Sequence, residues 1–304
     1  MSENNFDVII IGGSYSGLAA GMCLGRALKK VLVIDSGKPC NRQTPHSHNF
    51  LTNDGREPAA IAAIAREQVA AYKTIQFFDG TVVQAARLKQ GFRVTTNSVA
   101  TFHGTYLVFA TGIKDLLPEI DGLEACWGIS VIHCPYCHGY EVRGVKTAIL
   151  GNGEPVFDFA RMVSNWTADL TVFTNGASKL TSDQQEHLSG RSIMVLEKEI
   201  EKLEHKNGHL QNLVFKDGSR SAIPVLYAPS PFEQHCKIPQ ELGCELTEEG
   251  YIKTDASHAT TIPGVYAVGD NSSKLRTVAN AVSTGTSVGI VISKKMIFEG
   301  HGDC

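Results

Sequence analysis

Cys134 and Cys137 stand in the stretch His133-Cys134-Pro135-Tyr136-Cys137-His138-Gly139-Tyr140-Glu141. Sulfurs separated by two residues close a small disulfide ring and reopen as a dithiol, which is chemistry that moves electron pairs. The same spacing also serves zinc. A structural zinc site takes four ligands, usually from two such pairs. The remaining six cysteines (Cys23, Cys40, Cys126, Cys236, Cys244 and Cys304) form no second pair of this spacing. His133 and His138 complete a ligand set only if neighbours on one short segment converge on a tetrahedral ion. Redox is therefore the favoured reading and metal the alternative. One sulfur of a redox pair has to act as a thiolate, and a position at the start of a helix lowers a thiol pKa. His138 is placed to take or give the proton, its plainer reading being a solvated loop histidine.

Such a pair needs a partner for its electrons and elements to hold that partner. Phe6 to Ile11 read as a buried strand that ends in Gly12-Gly13-Ser14-Tyr15-Ser16-Gly17, before a helix from Leu18 to Leu28. Strand, glycine turn and helix form the opening of a dinucleotide site. Gly12 allows the tight turn, Gly17 allows close packing of helix on strand, and the free amides of the helix start face a pyrophosphate. Ser14 replaces the usual middle glycine. A second strand, Val31 to Ile34, ends at Asp35, 23 residues after Gly12, where a carboxylate accepts from ribose hydroxyls. Residues 40–55 are dense in polar and turn-forming types, and so long a loop most simply lines a cofactor or substrate. Asn41, Arg42 and His48 are its candidate cofactor contacts, with His46 and His48 read as packing or flavin contacts before metal ligands. A helix over Pro58 to Tyr72 and a β-meander within Phe77 to Phe109 follow, and Tyr106 to Phe109 run into Ala110-Thr111-Gly112, small residues over which a backbone can close on a cofactor.

The plan then repeats. Lys146 to Leu150 read as a strand, Gly151-Asn152-Gly153 as a turn, and Phe157 to Val163 as a helix. Val156 holds the third small position, where it would keep helix and strand apart. The next strand, Leu170 to Phe173, leads into Thr174-Asn175-Gly176, which offers neither an arginine for a 2′-phosphate nor an acid for a ribose. Gly151, Gly153, Thr174 and Asn175 are candidate pyridine nucleotide contacts, the alternative being a retained fold that binds nothing. Residues 192–222 read as a small sheet turning at Lys216-Asp217-Gly218, and residues 226–243 as an irregular link. The strand Val265 to Val268 ends at Gly269-Asp270, at the sheet edge where ligands bind, ahead of a helix from Val278 to Lys295.

The 304 residues suffice for two domains, and 42% apolar with 19% charged residues describe an ordinary globular chain. A formal charge of -3 offers no basic field for nucleic acid or an anionic membrane. No apolar run reaches the roughly 20 residues of a membrane span, and the start has no secretory layout, so a cytoplasmic protein is expected. Cys304 reads as part of a frayed terminus before a second redox relay.

Taken together, these residues resemble the low-molecular-weight thioredoxin reductases over nearly the whole length. The resemblance rests on Gly12 to Gly17 with Asp35, on Ala110-Thr111-Gly112, on Cys134 and Cys137 ahead of the Gly151 turn, and on Gly269-Asp270 with Arg276 beyond. It implies an α/β chain with two Rossmann-like nucleotide-binding domains, each carrying a small antiparallel β-meander. A discontinuous FAD domain over 1–114 and 247–304 would flank a pyridine nucleotide domain over 115–246 that carries the redox pair. FAD would be held by Gly12, Ser14, Gly17, Asp35, Thr111, Gly112, Gly269 and Asp270. Cys137 would face the flavin and Cys134 would attack the substrate. His138 stands where the family has an acid, and the basic residues that mark NADPH are absent from Thr174 to Gly176. His138 to Glu141, with Asn41-Arg42 and Thr44 to His48 upstream, is similar to the branch that includes gliotoxin-type dithiol oxidases. The implied activity is an FAD-dependent thiol-disulfide oxidoreductase driven by NADPH or NADH and acting on a thioredoxin-like protein or a small disulfide. The alternatives are a small-molecule dithiol oxidase using FAD and oxygen, or a reductase fed by another electron carrier. A homodimer is implied as well.

Overall fold

The computed structural model describes residues 4–299 and divides into two compact units. Cys304 lies outside the described residues. One unit takes the described parts of Met1–Arg42 and Phe232–Cys304, with Asn49–Lys114. The other takes Gln43–His48 and Asp115–Pro231. The chain thus leaves the first unit after Lys114 and returns to it at Phe232. Ile238, Cys244 and Ile252 belong to the first unit because they pack into its core beside Ile9 and Leu107.

In the first unit, β1 (Asn5–Ile11) has β2 (Val31–Asp35) on one side, and β3 (Ile75–Asp79) continues the parallel sheet beyond β2. β3 therefore belongs to the nucleotide sheet, although its sequence reads as the first run of the meander. The meander itself is β4 (Val82–Arg87), β5 (Phe92–Thr96) and the first half of β6 (Thr101–Phe109). The long β6 serves two purposes. Along one edge it pairs in parallel with β1, while its second half takes the strand Val265–Ala267. Val8, Ile9 and Ile10 are all 0% exposed, which explains an unbroken apolar run where a half-buried strand would alternate. Val8 and Ile10 face Leu18 and Val288, whereas Ile9 and Ile11 face Val94 and Val265.

Helix α1 occupies Tyr15–Arg26, starting directly after the glycine turn and so three residues earlier than its apolar pattern indicates. It lies against the closing helix Val278–Glu299, and two glycines allow the approach. A Cβ on Gly285 would sit 2.1 Å from the Ser16 carbonyl oxygen, and one on Gly289 would sit 2.6 Å from the Cys23 Cβ. No helix among the described residues is long and apolar enough to cross a membrane.

In the second unit, five parallel strands run in the order Met194–Leu196, Leu170–Phe173, Thr147–Leu150, Val225–Tyr227, Val131–Ile132. A separate antiparallel sheet holds Ile200–Lys206, His209–Phe215 and Arg220–Ala222. Met194–Leu196 is thus an edge of the parallel sheet and not a member of the small one. Val225–Tyr227 sits inside that sheet where the sequence reads as an irregular link. Three fully buried residues before a proline-rich stretch carry no period by which a strand shows itself.

Candidate active site

Cys134 and Cys137 are bonded to each other, with their Cα atoms 5.3 Å apart. Sulfurs joined in this way are not at the same time thiolate ligands of zinc, so the bond is in keeping with the redox reading of the spacing. Pro135 opens a helical turn over Pro135–His138, with Cys134 as its N-cap. The amides of Cys137 and His138 both donate to the Cys134 carbonyl at 3.2 Å. One turn carries a much smaller axial dipole than a full helix, so its help to a thiolate is weaker than the sequence implies. Gly139 ends the turn against Trp166: a Cβ there would meet the Pro135 carbonyl oxygen at 2.5 Å and the indole at 2.9 Å. Tyr136 within the turn and Tyr140 just after it stand 65% and 66% exposed, offering apolar surface near the disulfide.

Burial, followed by the neighbouring His48, pulls the His138 pKa down to about 4. The imidazole is therefore neutral at pH 7 and holds a free lone pair for a proton. His48 Nδ1 lies 3.5 Å from Glu141 Oε1. The structure thus groups His48 with the redox turn inside the second unit, whereas its sequence places it among the cofactor contacts of the first. Glu141 also acts on Tyr227, whose hydroxyl pKa is raised by burial first and by that carboxylate second. The Tyr227 hydroxyl is buried with no hydrogen-bond partner among the described residues. Glu141 closes the His138 to Glu141 stretch that carries the resemblance, though with no role of its own there, whereas Tyr227 falls in the expected link and has no sequence signal.

In the first unit the glycine turn has the geometry a bound dinucleotide requires. Gly12 has φ +107° and a Cβ on it would sit 2.2 Å from the Ala110 carbonyl oxygen, while one on Gly17 would sit 1.9 Å from the Gly12 carbonyl oxygen. Ser14, the N-cap of α1, makes no side-chain capping bond. The helix-start amides thus remain for an anion. The Asp35 carboxylate accepts from Gly13 N at 3.0 Å and Gly37 N at 3.2 Å, which leaves lone pairs for ribose hydroxyls. Thr111 and Gly112 follow the end of β6, and a Cβ on Gly112 would meet nothing within 4 Å among the described residues. Gly269 has φ +80° and its amide donates to Thr284 Oγ1 at 3.1 Å. Asp270 lies 3.9 Å from the Nε of Arg276, which gives that arginine a place at the same strand end. Asn41 Nδ2 donates to the Tyr15 hydroxyl at 3.4 Å, and Arg42 Nη1 donates to the Pro39 carbonyl at 3.3 Å, so both help fold the loop after β2. These residues fit FAD: a strand-turn-helix anion site, an acidic residue for the ribose and a tight strand end.

The second turn is built differently. Asn152 is spent on its own loop: Nδ2 donates to the carbonyls of Thr174 and Ala177 at 3.3 and 2.9 Å, and Oδ1 accepts from the amides of Gly153 and Lys179 at 2.9 and 2.7 Å. Thr174 Oγ1 donates to the Gly176 carbonyl at 2.6 Å, and Asn175 Oδ1 accepts from Ile200 N at 2.7 Å. The helix Glu154–Val163 begins with a carboxylate and a proline, one opposing an anion and the other removing an amide. Val156 is 3% exposed and packs with Ile149, so it fills the helix-strand contact where the sequence suggested it would prise the two apart. Gly151 and Gly153 form this turn, and Thr174 and Asn175 spend their side chains on the neighbouring loop, so neither offers a charge to a 2′-phosphate.

The sequence profile of the pyridine nucleotide-disulphide oxidoreductases matches residues 6–285. Thioredoxin reductase tcpT from Claviceps purpurea is 29% identical, the match covering 99% of this chain and 98% of that protein. The crystal structure of a thioredoxin reductase TrxB from Bacillus anthracis, described as putative, superposes with a TM-score of 0.93 at 28% identity, covering 97% of this chain and 99% of that one. An oxidoreductase from Agrobacterium tumefaciens superposes with a TM-score of 0.90 at 36% identity, covering 97% and 99%.

Proposed function

The chain belongs to the pyridine nucleotide-disulphide oxidoreductase family, and from that premise we propose that it passes electron pairs between FAD, the Cys134–Cys137 disulfide, and a thioredoxin-like or small-molecule disulfide. The observation that carries this reading is the closed Cys134–Cys137 bond beside an imidazole held neutral. Gly12, Ser14, Gly17, Asp35, Thr111, Gly112, Gly269 and Asp270 would hold FAD, which would supply a ring that accepts or releases an electron pair. The protein's own part is sulfur and proton chemistry. The Cys134 thiolate attacks one sulfur of the substrate disulfide, forming a mixed disulfide and expelling the first substrate thiolate. The Cys137 thiolate then attacks the Cys134 sulfur, expelling the second substrate thiolate and closing the Cys134–Cys137 bond. The substrate gains two electrons and two protons, and the cysteine pair loses two electrons. His138 takes the thiol proton that would otherwise keep Cys137 from acting.

Anaerobic titration tests this. Addition of NADPH or NADH should bleach the flavin band, and a small disulfide should restore it. Cys134→Ser should keep the bleaching and lose disulfide reduction. A purified protein without flavin, or a flavin indifferent to the state of the sulfurs, overturns the reading.

A second reading runs the electrons the other way, with a small dithiol oxidised and dioxygen reduced to hydrogen peroxide. The self-satisfied loop at Asn152, Thr174 and Asn175 favours it, since it leaves the second unit poorly equipped for a pyridine nucleotide. Peroxide release with a small dithiol, abolished in Cys137→Ser, is the supporting result, and an aerobically inert protein counts against it. A cytoplasmic homodimer belongs to either reading and is tested by sedimentation.

A further inference from the structure

Asn271 follows Gly269-Asp270 and is 0% exposed. Its Nδ2 donates to the Phe109 carbonyl at 2.9 Å and to Thr111 Oγ1 at 3.2 Å. A carbonyl oxygen can only accept, so the amide orientation is fixed by Phe109. Both amide protons are then in use, and Thr111 Oγ1 is an acceptor in this contact. Its own proton must point elsewhere. Its hydroxyl donates no hydrogen bond within the described residues, and the open space beyond Gly112 borders the same strand end.

The backbone of Asn271 is held as firmly. Its carbonyl accepts from Gln234 Nε2 at 2.9 Å and from Ile252 N at 2.8 Å. The remaining atom of the side chain, Oδ1, is buried and has no hydrogen-bond partner among the described residues. Buried polar groups are as a rule hydrogen-bonded, so a fully buried amide that commits both its protons to one strand end calls for an explanation. Folding alone does not require that commitment. Phe109 already receives the Val268 amide at 3.0 Å, so an apolar side chain of similar shape would leave no carbonyl orphaned there.

We propose that Asn271 is a positioning residue for the flavin: it holds Thr111 Oγ1 as an acceptor and thereby turns the Thr111 hydroxyl proton toward an acceptor atom of FAD. This rests on the reading that FAD is held at Thr111, and it adds a residue that touches no cofactor itself.

A double-mutant cycle on the reconstituted protein tests it, reading FAD dissociation from the apoprotein and the flavin midpoint potential. Thr111→Val and Asn271→Leu should each weaken FAD binding, by about tenfold for one lost hydrogen bond, and shift the potential in the same direction. The double variant should be no worse than Thr111→Val alone, and Thr111→Ser should restore binding. Apoprotein Asn271→Leu should melt no lower than the parent, since it loses an orphaned acceptor. If that variant is insoluble, Asn271→Ala completes the same cycle. Fully additive effects, or unchanged affinity and potential in Asn271→Leu, overturn the inference while FAD binding stands. A parent protein that takes up no FAD overturns both.

Discussion

His48 Nδ1 and Glu141 Oε1 lie 3.5 Å apart, joining a loop that follows β2 to the segment just beyond the redox turn. His48 in turn weighs on His138, so the carboxylate reaches the proton-handling imidazole through a second ring. Glu141→Gln should lower turnover with a dithiol or disulfide substrate by about tenfold while FAD content stays unchanged. His48→Gln should do much the same, and the double variant should fall no further, since residues of one network do not add. Steady-state rates of the four proteins check this; additive losses would show two independent roles.

His138 makes a pH prediction whose direction follows from its lowered pKa. The unfolded chain binds a proton on this residue below about 6.5, whereas the folded chain does so only near 4. Between those values the unfolded state carries more protons, so stability rises with pH across the window and levels off above it. His138→Gln should remove that increment, seen as a smaller change in melting temperature between pH 4.5 and 7 than in the parent. Turnover should also fall, by about a hundredfold for a lost general base. An unchanged pH slope would show that the ring is solvated.

Gly285 is expected to be intolerant. Its Cβ would lie 2.1 Å from the Ser16 carbonyl oxygen, so Gly285→Ala must push the closing helix from α1. Overpacking of this kind costs about 1–3 kcal/mol. The loss should appear as a lower denaturation midpoint together with weaker FAD retention, because Ser16 borders the glycine turn. Gly218→Ala, with nothing within 4 Å, is the control, feeling only the strain of its φ of +80°.

Selection between NADPH and NADH should be weak. With Thr174 and Asn175 spent on their own loop, neither side chain is left to meet a 2′-phosphate. Rates of anaerobic flavin bleaching by the two nucleotides should differ by less than about tenfold, a difference below 1.4 kcal/mol. A preference of several hundredfold for NADPH would show a phosphate site elsewhere.

Much of this was readable from residue order. The glycine turns announced both nucleotide folds because a turn that tight leaves little choice of residue, and the redox pair announced itself by spacing. Harder to read were elements whose signal is tertiary. β3 looked like meander because five residues cannot say which neighbour they pair with. Val225–Tyr227 hid because a strand buried on both faces has no alternation. The pairing of His48 with Glu141 was invisible, and a loop histidine near a cofactor signature was naturally assigned to the cofactor. Asn271 had no motif at all; its role rests on which atom of an amide faces a carbonyl.

The hexapeptide Gln43–His48 clusters with the second unit although chain of the first unit lies on both sides of it. A fragment cut at Asp115 and Pro231 would carry both sulfurs and leave His48 behind. Sulfur exchange and the tuning of its proton acceptor are thus encoded in separate stretches of the gene, and grafting the redox segment onto another scaffold would transplant the reactive bond stripped of its regulator.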